Sequence, residues 1–332
     1  IGAGHISHFY LISGPAGSGK RTLAKLLSAA ILCEGAEKPC LTCPACRKAI
    51  ADTHPDLITV TGDLAWAGHT EAYDALADLL DSFGKPWAPV WGNHDNQGGT
   101  ESVDAVADRY LTHPLCVYEK GDPALGNGNY VIAVEEDGKA VEGVIMMDSH
   151  DRMPYTKEDG TVESEWAKLI PEQLDWYRAQ IAELEARGCK DSTMIMHIPI
   201  YAYREAWAAA FKDGIDSTKL TVADSLTGDC WNDGYKDSFG VKYEGICSYP
   251  ADEGAFDVML ELGSTKHILC GHDHVNNYVI NYKGVKFVYS LKTGAGCYWT
   301  PTLNGGTYLR VTKDGVTDVW HEYVDVSEII NE

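Results

Sequence analysis

The chain is short of positive charge. Its 27 Lys and Arg face 49 Asp and Glu, a formal net charge of −22. A surface so acidic argues against nucleic acid as a partner, because phosphate backbones are held by basic side chains. No run of 18 or more apolar residues occurs, so no segment is expected to span a membrane. The start, Ile1-Gly2-Ala3-Gly4, lacks the basic and apolar regions of a signal peptide, which points to the cytoplasm. The missing Met at position 1 implies a fragment or a processed chain. Internal repeats and low-complexity tracts are absent too, which excludes solenoids and disordered linkers.

What the chain does contain is apolar residues enough for a real core, at 45% of 332. Its charge is unevenly spread. Residues 1–60 hold six Lys/Arg and four Asp/Glu, or +2, which leaves 21 and 45, or −24, for the remainder. That asymmetry suggests two segments of different character. We place them at residues 1–56 and 57–332.

In the first segment, the strand-like His8–Ser13 runs into Gly14-Pro15-Ala16-Gly17-Ser18-Gly19-Lys20, followed by a helical pattern from Arg21 to about Ile31. This is the pattern of a phosphate-binding loop. Gly14, Gly17 and Gly19 free the backbone N–H groups, and Lys20 meets the phosphates at a helix N-terminus. The next position should carry the Mg²⁺-binding hydroxyl; here it is Arg21, with Thr22 one place late, so ATP turnover is not expected. Cys33, Cys40, Cys43 and Cys46 follow in a C-x6-C-x2-C-x2-C spacing, which suits a tetrahedral structural zinc site. Together, loop, helix and four cysteines resemble the N-terminal end of bacterial DNA polymerase clamp-loader subunits of the delta-prime type, over about residues 5–58. The acidic strand, sensor motifs and helical lid of a complete clamp-loader ATPase do not follow.

From Leu57 onward, a short apolar run ends four times in a cluster of Asp, Asn or His. Leu57–Val60 leads to Gly62-Asp63, Ala88–Trp91 to Gly92-Asn93-His94-Asp95, Met194–Ile195 to His197, and Lys266–Cys270 to Gly271-His272-Asp273-His274. Open α/β sheets bind ligands at the carboxyl ends of their strands, and neutral imidazole is a common metal ligand. The set, in this order, resembles the calcineurin-like metallophosphoesterases, with the general plan of the purple acid phosphatases. The resemblance implies an αββα sandwich of two mixed β-sheets flanked by helices, here with its first βα unit replaced by the phosphate-loop and cysteine segment. It implies two neighbouring divalent or trivalent metal ions (Fe, Mn or Zn), bridged by Asp63. Asn93, His197 and His272 would complete one site and His274 would serve the other. His94 would protonate the leaving oxygen, oriented by Asp95, in hydrolysis of phosphate esters, monoesters more than diesters.

One element of that pattern is missing. The family opens with Asp-x-His at its first strand end, where the clamp-loader-like segment stands. Asp52-Thr53-His54 precedes a strand and so lies at its wrong end, whereas Asp148-Ser149-His150 follows one. An impaired second metal site is therefore expected. Trp66 stands where a purple acid phosphatase carries its iron-binding Tyr. A second reading makes the chain a clamp-loader-like replication subunit, with other such subunits as partners and a misjoined tail. A chimera of the two is compatible with the first reading.

The expected elements run in order: helices over 70–83, 100–111 and 171–187, and strands over 87–91, 129–135 and 141–148. Further strands are expected over 278–282, 285–290, 307–312 and 316–323. Residues 212–253 read as a long insertion over the site. Tyr201, Tyr203, Trp231 and Tyr235 are either pocket or core residues.

Overall fold

The computed structural model describes residues 26, 29, 30, 33, 39–41, 43, 46, 57–65, 69–95, 97, 101–294 and 296–324. The chain divides into two compact units, Ile1–Leu57 and Ile58–Glu332. Strand His8–Ser13, the phosphate loop Gly14, Gly17, Gly19, Lys20 and Thr22, the triplet at 52–54 and Trp66 all lie outside the described residues.

In the larger unit, β1 (Ile58–Thr61) and β2 (Trp87–Val90) form a parallel pair. Helix α1 (Thr70–Ser82) connects them and buries Tyr73, Ala77 and Leu80 along one stripe of near-helical period. A shorter helix, α2 (Val103–Tyr110), begins at Ser102, whose hydroxyl accepts the Ala105 N–H.

The main sheet has six strands. β3 (Tyr130–Glu136) and β4 (Lys139–Met146) are an antiparallel hairpin. Asp137 and Gly138 at its tip both have positive φ, the requirement of a tight two-residue turn matched to strand twist. β7 (Ser192–Ile195), β8 (Thr265–Cys270) and β10 (Val285–Tyr289) follow β4 in parallel, and β9 (Val279–Tyr282) closes the edge antiparallel to β10. The order is β3-β4-β7-β8-β10-β9. Its four central strands point the same way, so their carboxyl ends gather on one rim.

Between β4 and β7 come a hairpin, β5 (Arg152–Thr156) with β6 (Val162–Trp166), and helix α3 (Pro171–Ala186). Two more helices, α4 (Ala202–Ala210) and α5 (Ala255–Leu262), precede β8. Buried residues of all three helices share one core with the sheet, including Tyr177, Ile181, Tyr203, Ala206, Phe256, Ile268 and Phe287. Tyr203 and Trp231 are core residues. The Tyr203 hydroxyl donates to the carbonyls of Ile268 and Val288, and the Trp231 indole N–H to that of Ser225.

The architecture is the expected mixed α/β one, with one difference. The second sheet of the sandwich is present as two separate pieces among the described residues, the pair β1–β2 and the antiparallel hairpin β11 (Gly305–Thr312) with β12 (Gly315–Tyr323). The insertion 212–253 contains short helical turns, Ser217–Lys219 and Val222–Ser225, and contributes Trp231 to the core. No helix among the described residues is long and apolar enough to cross a membrane.

Candidate metal centre

Asp63 and Asn93 follow β1 and β2, while His197 and His272 follow β7 and β8. The structure brings these four side chains together. His197 is at the centre and is buried. Its Nε2 lies 3.1 Å from Asn93 Oδ1, 3.3 Å from Asp63 Oδ2 and 3.2 Å from His272 Nδ1. Its other ring nitrogen, Nδ1, lies 2.7 Å from the carbonyl oxygen of Thr61, which can only accept. That contact puts a proton on Nδ1 and leaves Nε2, in the neutral ring, as a lone pair facing two oxygens.

Such a cluster needs a positive centre. Burial pulls the His197 pKa down, but neighbouring Asp63 and the Thr61 carbonyl outweigh it and raise the pKa overall. Burial likewise opposes charge on Asp63, yet His197 and the His94 backbone N–H hold its carboxyl well below the usual range. His272 is pushed down to about 2 by burial and by His197. A proton or a metal cation satisfies the same point. Donor atoms in a metal shell with bonds of about 2.0–2.2 Å stand roughly 3.2–3.6 Å apart, close to the three separations around Nε2. Two oxygens and two imidazole nitrogens suit a divalent or trivalent transition metal. The residues present fit the group.

The backbone is bent to make this cluster. Asp63 and His272 have φ of 53° and 67°, a left-handed conformation that non-glycine residues adopt at a cost of about 1–3 kcal/mol and that concentrates at functional sites. Gly62, at φ 92°, passes so close to His197 that a Cβ would meet its Nδ1 at 2.4 Å. Gly92 is needed for the same reason, since a Cβ there would lie 2.2 Å from Asp63 Oδ1.

Two other expected residues lie at the rim. His94 donates its backbone N–H to Asp63 Oδ1 at 2.9 Å, and its Nδ1 meets Gln97 Oε1 at 2.5 Å. His274 stacks on Tyr298 and places Nδ1 2.9 Å from the Tyr298 carbonyl oxygen, leaving Nε2 for another partner. Burial lowers its pKa.

The Asp95 side chain is buried. Its carboxylate accepts the N–H groups of Leu64, Ala65 and Gly92 and the hydroxyl of Tyr73. These contacts tie the loop after β1 to the loop after β2, and His94 Nδ1 faces Gln97 Oε1. Asp95 thus holds the two strand ends in register with each other, and burial raises its pKa to about 6.

Asp148, Ser149 and His150 each make contacts within the protein. Asp148 accepts the N–H groups of Asn127 and His150, Ser149 Oγ accepts that of Ile198, and His150 Nε2 meets Gln173 Oε1 at 2.9 Å. The wall of the site was not foreseen. Trp166, on β6, lies edge-on to His272 at 4.4 Å between ring centroids, and the Arg152 guanidinium covers its face at 3.6 Å. Asp151 sits beside them, raised in pKa by burial. A lone tryptophan closing a charged segment was the one signal available.

In the smaller unit, the sulfurs of Cys33, Cys40, Cys43 and Cys46 all lie within 4.8 Å of one another. The N–H groups of Cys40, Cys43 and Cys46 point at the sulfurs of Cys33, Cys40 and Cys43, at 3.3–3.4 Å. Burial pushes the Cys46 thiol up to about 12, a penalty that a bound cation reverses. The cluster can hold a metal ion.

Comparison with known proteins gives two kinds of relative. The family model described as DNA polymerase III, delta subunit, matches residues 1–85, beyond the 5–58 expected and through α1. DNA polymerase III subunit delta' of Pseudomonas aeruginosa is 48% identical over 52 residues, 15% of this chain and 16% of that one. Probable inactive purple acid phosphatase 14 of Arabidopsis thaliana is 28% identical over 295 residues, 80% of this chain. The chain spans 65% of that relative's length. A dimetal phosphatase from Danio rerio is similar in structure at a TM-score of 0.42 and 13% identity, covering 82% of this chain and 78% of that one. The chain therefore resembles purple acid phosphatases over most of its length and clamp-loader subunits at its N-terminal end.

Proposed function

We propose that the unit from Ile58 onward hydrolyses phosphate esters, monoesters in preference to diesters, with the help of bound metal. The observation that carries this reading is the lone pair of His197 Nε2, turned by Thr61 toward Asp63 and Asn93. Asp63, Asn93, His197 and His272 would hold one ion, and Asp63 with His274 would offer a poorer second site. Bound there, a transition metal ion polarises a phosphoryl oxygen and lowers the pKa of water.

The protein's own groups have separate tasks. Asp63 is anchored by the His94 N–H, so the carboxylate does not swing when substrate binds. His94, its Nδ1 turned to Gln97, would give a proton to the leaving oxygen. Trp166 shields His272 from solvent on one side. The net charge of −22 repels large polyanions and leaves small phosphate esters as the better substrates.

The missing Asp-x-His makes this a feeble enzyme, in line with the name of the Arabidopsis relative. Zinc is the metal we assign to the four-cysteine cluster, and Fe, Mn or Zn to the Asp63 site. We place the chain in the cytoplasm, a reducing compartment that keeps a four-thiol metal cluster intact. Residues 1–85 support a second reading, a clamp-loader-like subunit whose partners are other such subunits; ATP turnover abolished by Lys20→Ala would favour it.

The test is hydrolysis of p-nitrophenyl phosphate by the metal-loaded chain. His94→Ala should lower it about 10²–10⁴-fold with bound metal unchanged. Exchange of residues 1–56 for a phosphoesterase N-terminus carrying Asp-x-His should raise it by orders of magnitude. Hydrolysis that ignores both changes would refute the proposal.

A further inference from the structure

Cys247 belongs to the insertion 212–253, a segment to which the reading above gives no task. Its backbone N–H donates to Asp273 Oδ2 at 3.1 Å. One ligand atom from each of Cys247, His272 and Asp273 lies within 4.8 Å of the other two. Asp273 is buried, and the Tyr289 hydroxyl donates to the same Oδ2 at 2.6 Å, which fixes the carboxylate. Cys247 Sγ has a weak 3.9 Å contact with the Gly245 carbonyl.

His272 is the corner shared with the centre already described. Its Nδ1 faces His197, but its Nε2 is buried and has no hydrogen-bond partner among the described residues. Leaving a buried polar atom unpaired costs roughly 1–3 kcal/mol, so an orphan of this kind calls for an explanation.

We propose that Cys247, His272 and Asp273 form a further cation site, which takes a thiophilic divalent ion such as zinc. A thiolate, an imidazole and a carboxylate are together a zinc-type donor set and a poor one for magnesium or calcium. Two anionic ligands and one neutral ligand balance a 2+ ion, which matters where Asp273 has little access to solvent. The Cys247 thiol gives up its proton to solvent as the ion binds; when the Asp63 centre is loaded too, the His272 ring also releases its N–H proton to solvent and bridges the two ions as an imidazolate. Side-chain shifts of about an ångström bring donors within 4.8 Å to the roughly 3.3–3.7 Å spacing of a tetrahedral shell. Three protein ligands leave one position for water or another ligand. The insertion thereby supplies a sulfur ligand beside His272.

This site shares His272 with the proposed hydrolase centre but takes Cys247 and Asp273, which that centre does not use, and its test reads metal and not turnover. The full chain is stripped with chelator and reloaded with Zn²⁺ or Co²⁺. Cobalt–thiolate bonds absorb in the near ultraviolet, and the four-cysteine cluster contributes equally to every variant. Cys247→Ala should lose one zinc equivalent and the near-ultraviolet intensity of one thiolate. Cys247→His should lose that intensity too, and retention of its zinc would show the imidazole standing in for sulfur. The cobalt spectrum decides. An unchanged band in folded Cys247→Ala overturns the site; if that variant does not fold, an unchanged band in Cys247→His does so.

Discussion

The carbonyl oxygen of Thr61 and the Nδ1 of His197 meet at 2.7 Å across 136 residues of chain. This one contact joins the end of the β1–β2 pair to the end of the main sheet. It also chooses the His197 tautomer, and with it the direction of the free lone pair. The metal centre depends on it.

Gly62→Ala should break that contact. The new methyl would lie 2.4 Å from His197 Nδ1, and φ of 92° is strained for alanine. We expect a loss of about 1–3 kcal/mol in stability and a metal affinity at least about tenfold weaker. Chemical denaturation and metal titration measure the two effects. A variant with the affinity of the parent would show that the Thr61 contact does not orient His197.

Glu142 should make stability fall as pH rises. It is buried on β4, with Oε1 accepting from the Thr193 hydroxyl and Oε2 lacking a partner among the described residues. Burial raises its pKa from 4.5 to about 7. The folded state thus holds the proton more tightly than the unfolded one. The associated stability is present in full below pH 4.5 and lost as pH rises through 7. Glu142→Gln should remove this slope, leaving the variant more stable than the parent at pH 8 by about 2–3 kcal/mol. Parallel stability curves for the two proteins between pH 5 and 8 would contradict the assignment.

Gln173→Leu should cost at least about 2 kcal/mol, because it strands several polar groups at once. Gln173 Oε1 accepts from the Ile170 N–H and meets His150 Nε2, while its amide donates to Asn129 Oδ1 and the Asp148 carbonyl. Urea denaturation measures the loss. Because these contacts lie at the end of β4 and not at Asp63, bound metal should not change.

Cys43→Ser should release about one zinc and destabilise the segment 1–60, with the Asp63 site still loaded. An undiminished zinc count by plasma mass spectrometry would show that the four sulfurs cluster without a metal.

Much of the site was legible in the residues because each cluster follows a short buried strand. A run such as Lys266–Cys270 must end where the sheet ends, so the polar residues just after it emerge at a rim. The β3–β4 hairpin was legible for a similar local reason, its Asp137-Gly138 turn. The hairpin β5–β6 was not. Its strands are largely exposed and carry little apolar alternation, so nothing local marks them as sheet. Helices α4 and α5 escaped notice as well, although both bury one face in the main core.

The sequence by itself determined which chemistry was possible: Asp, Asn and His at four strand ends, glycines where a Cβ would collide, and four cysteines at ligand spacing. Which of those groups work together was decided by the tertiary structure alone. Asp95 adjoins His94 in the chain, yet its carboxylate turns to the N–H groups of Leu64, Ala65 and Gly92. Asp148 and His150 have the right residue types and the right strand end, yet Asn127 and Gln173 occupy them. Cys247 shows no signal along the chain and lies beside His272 in space. The physical reason is the same in each case. A polar group that is buried must take whatever partner the packing puts within about 3 Å, and that choice is made by distant segments that local sequence does not encode.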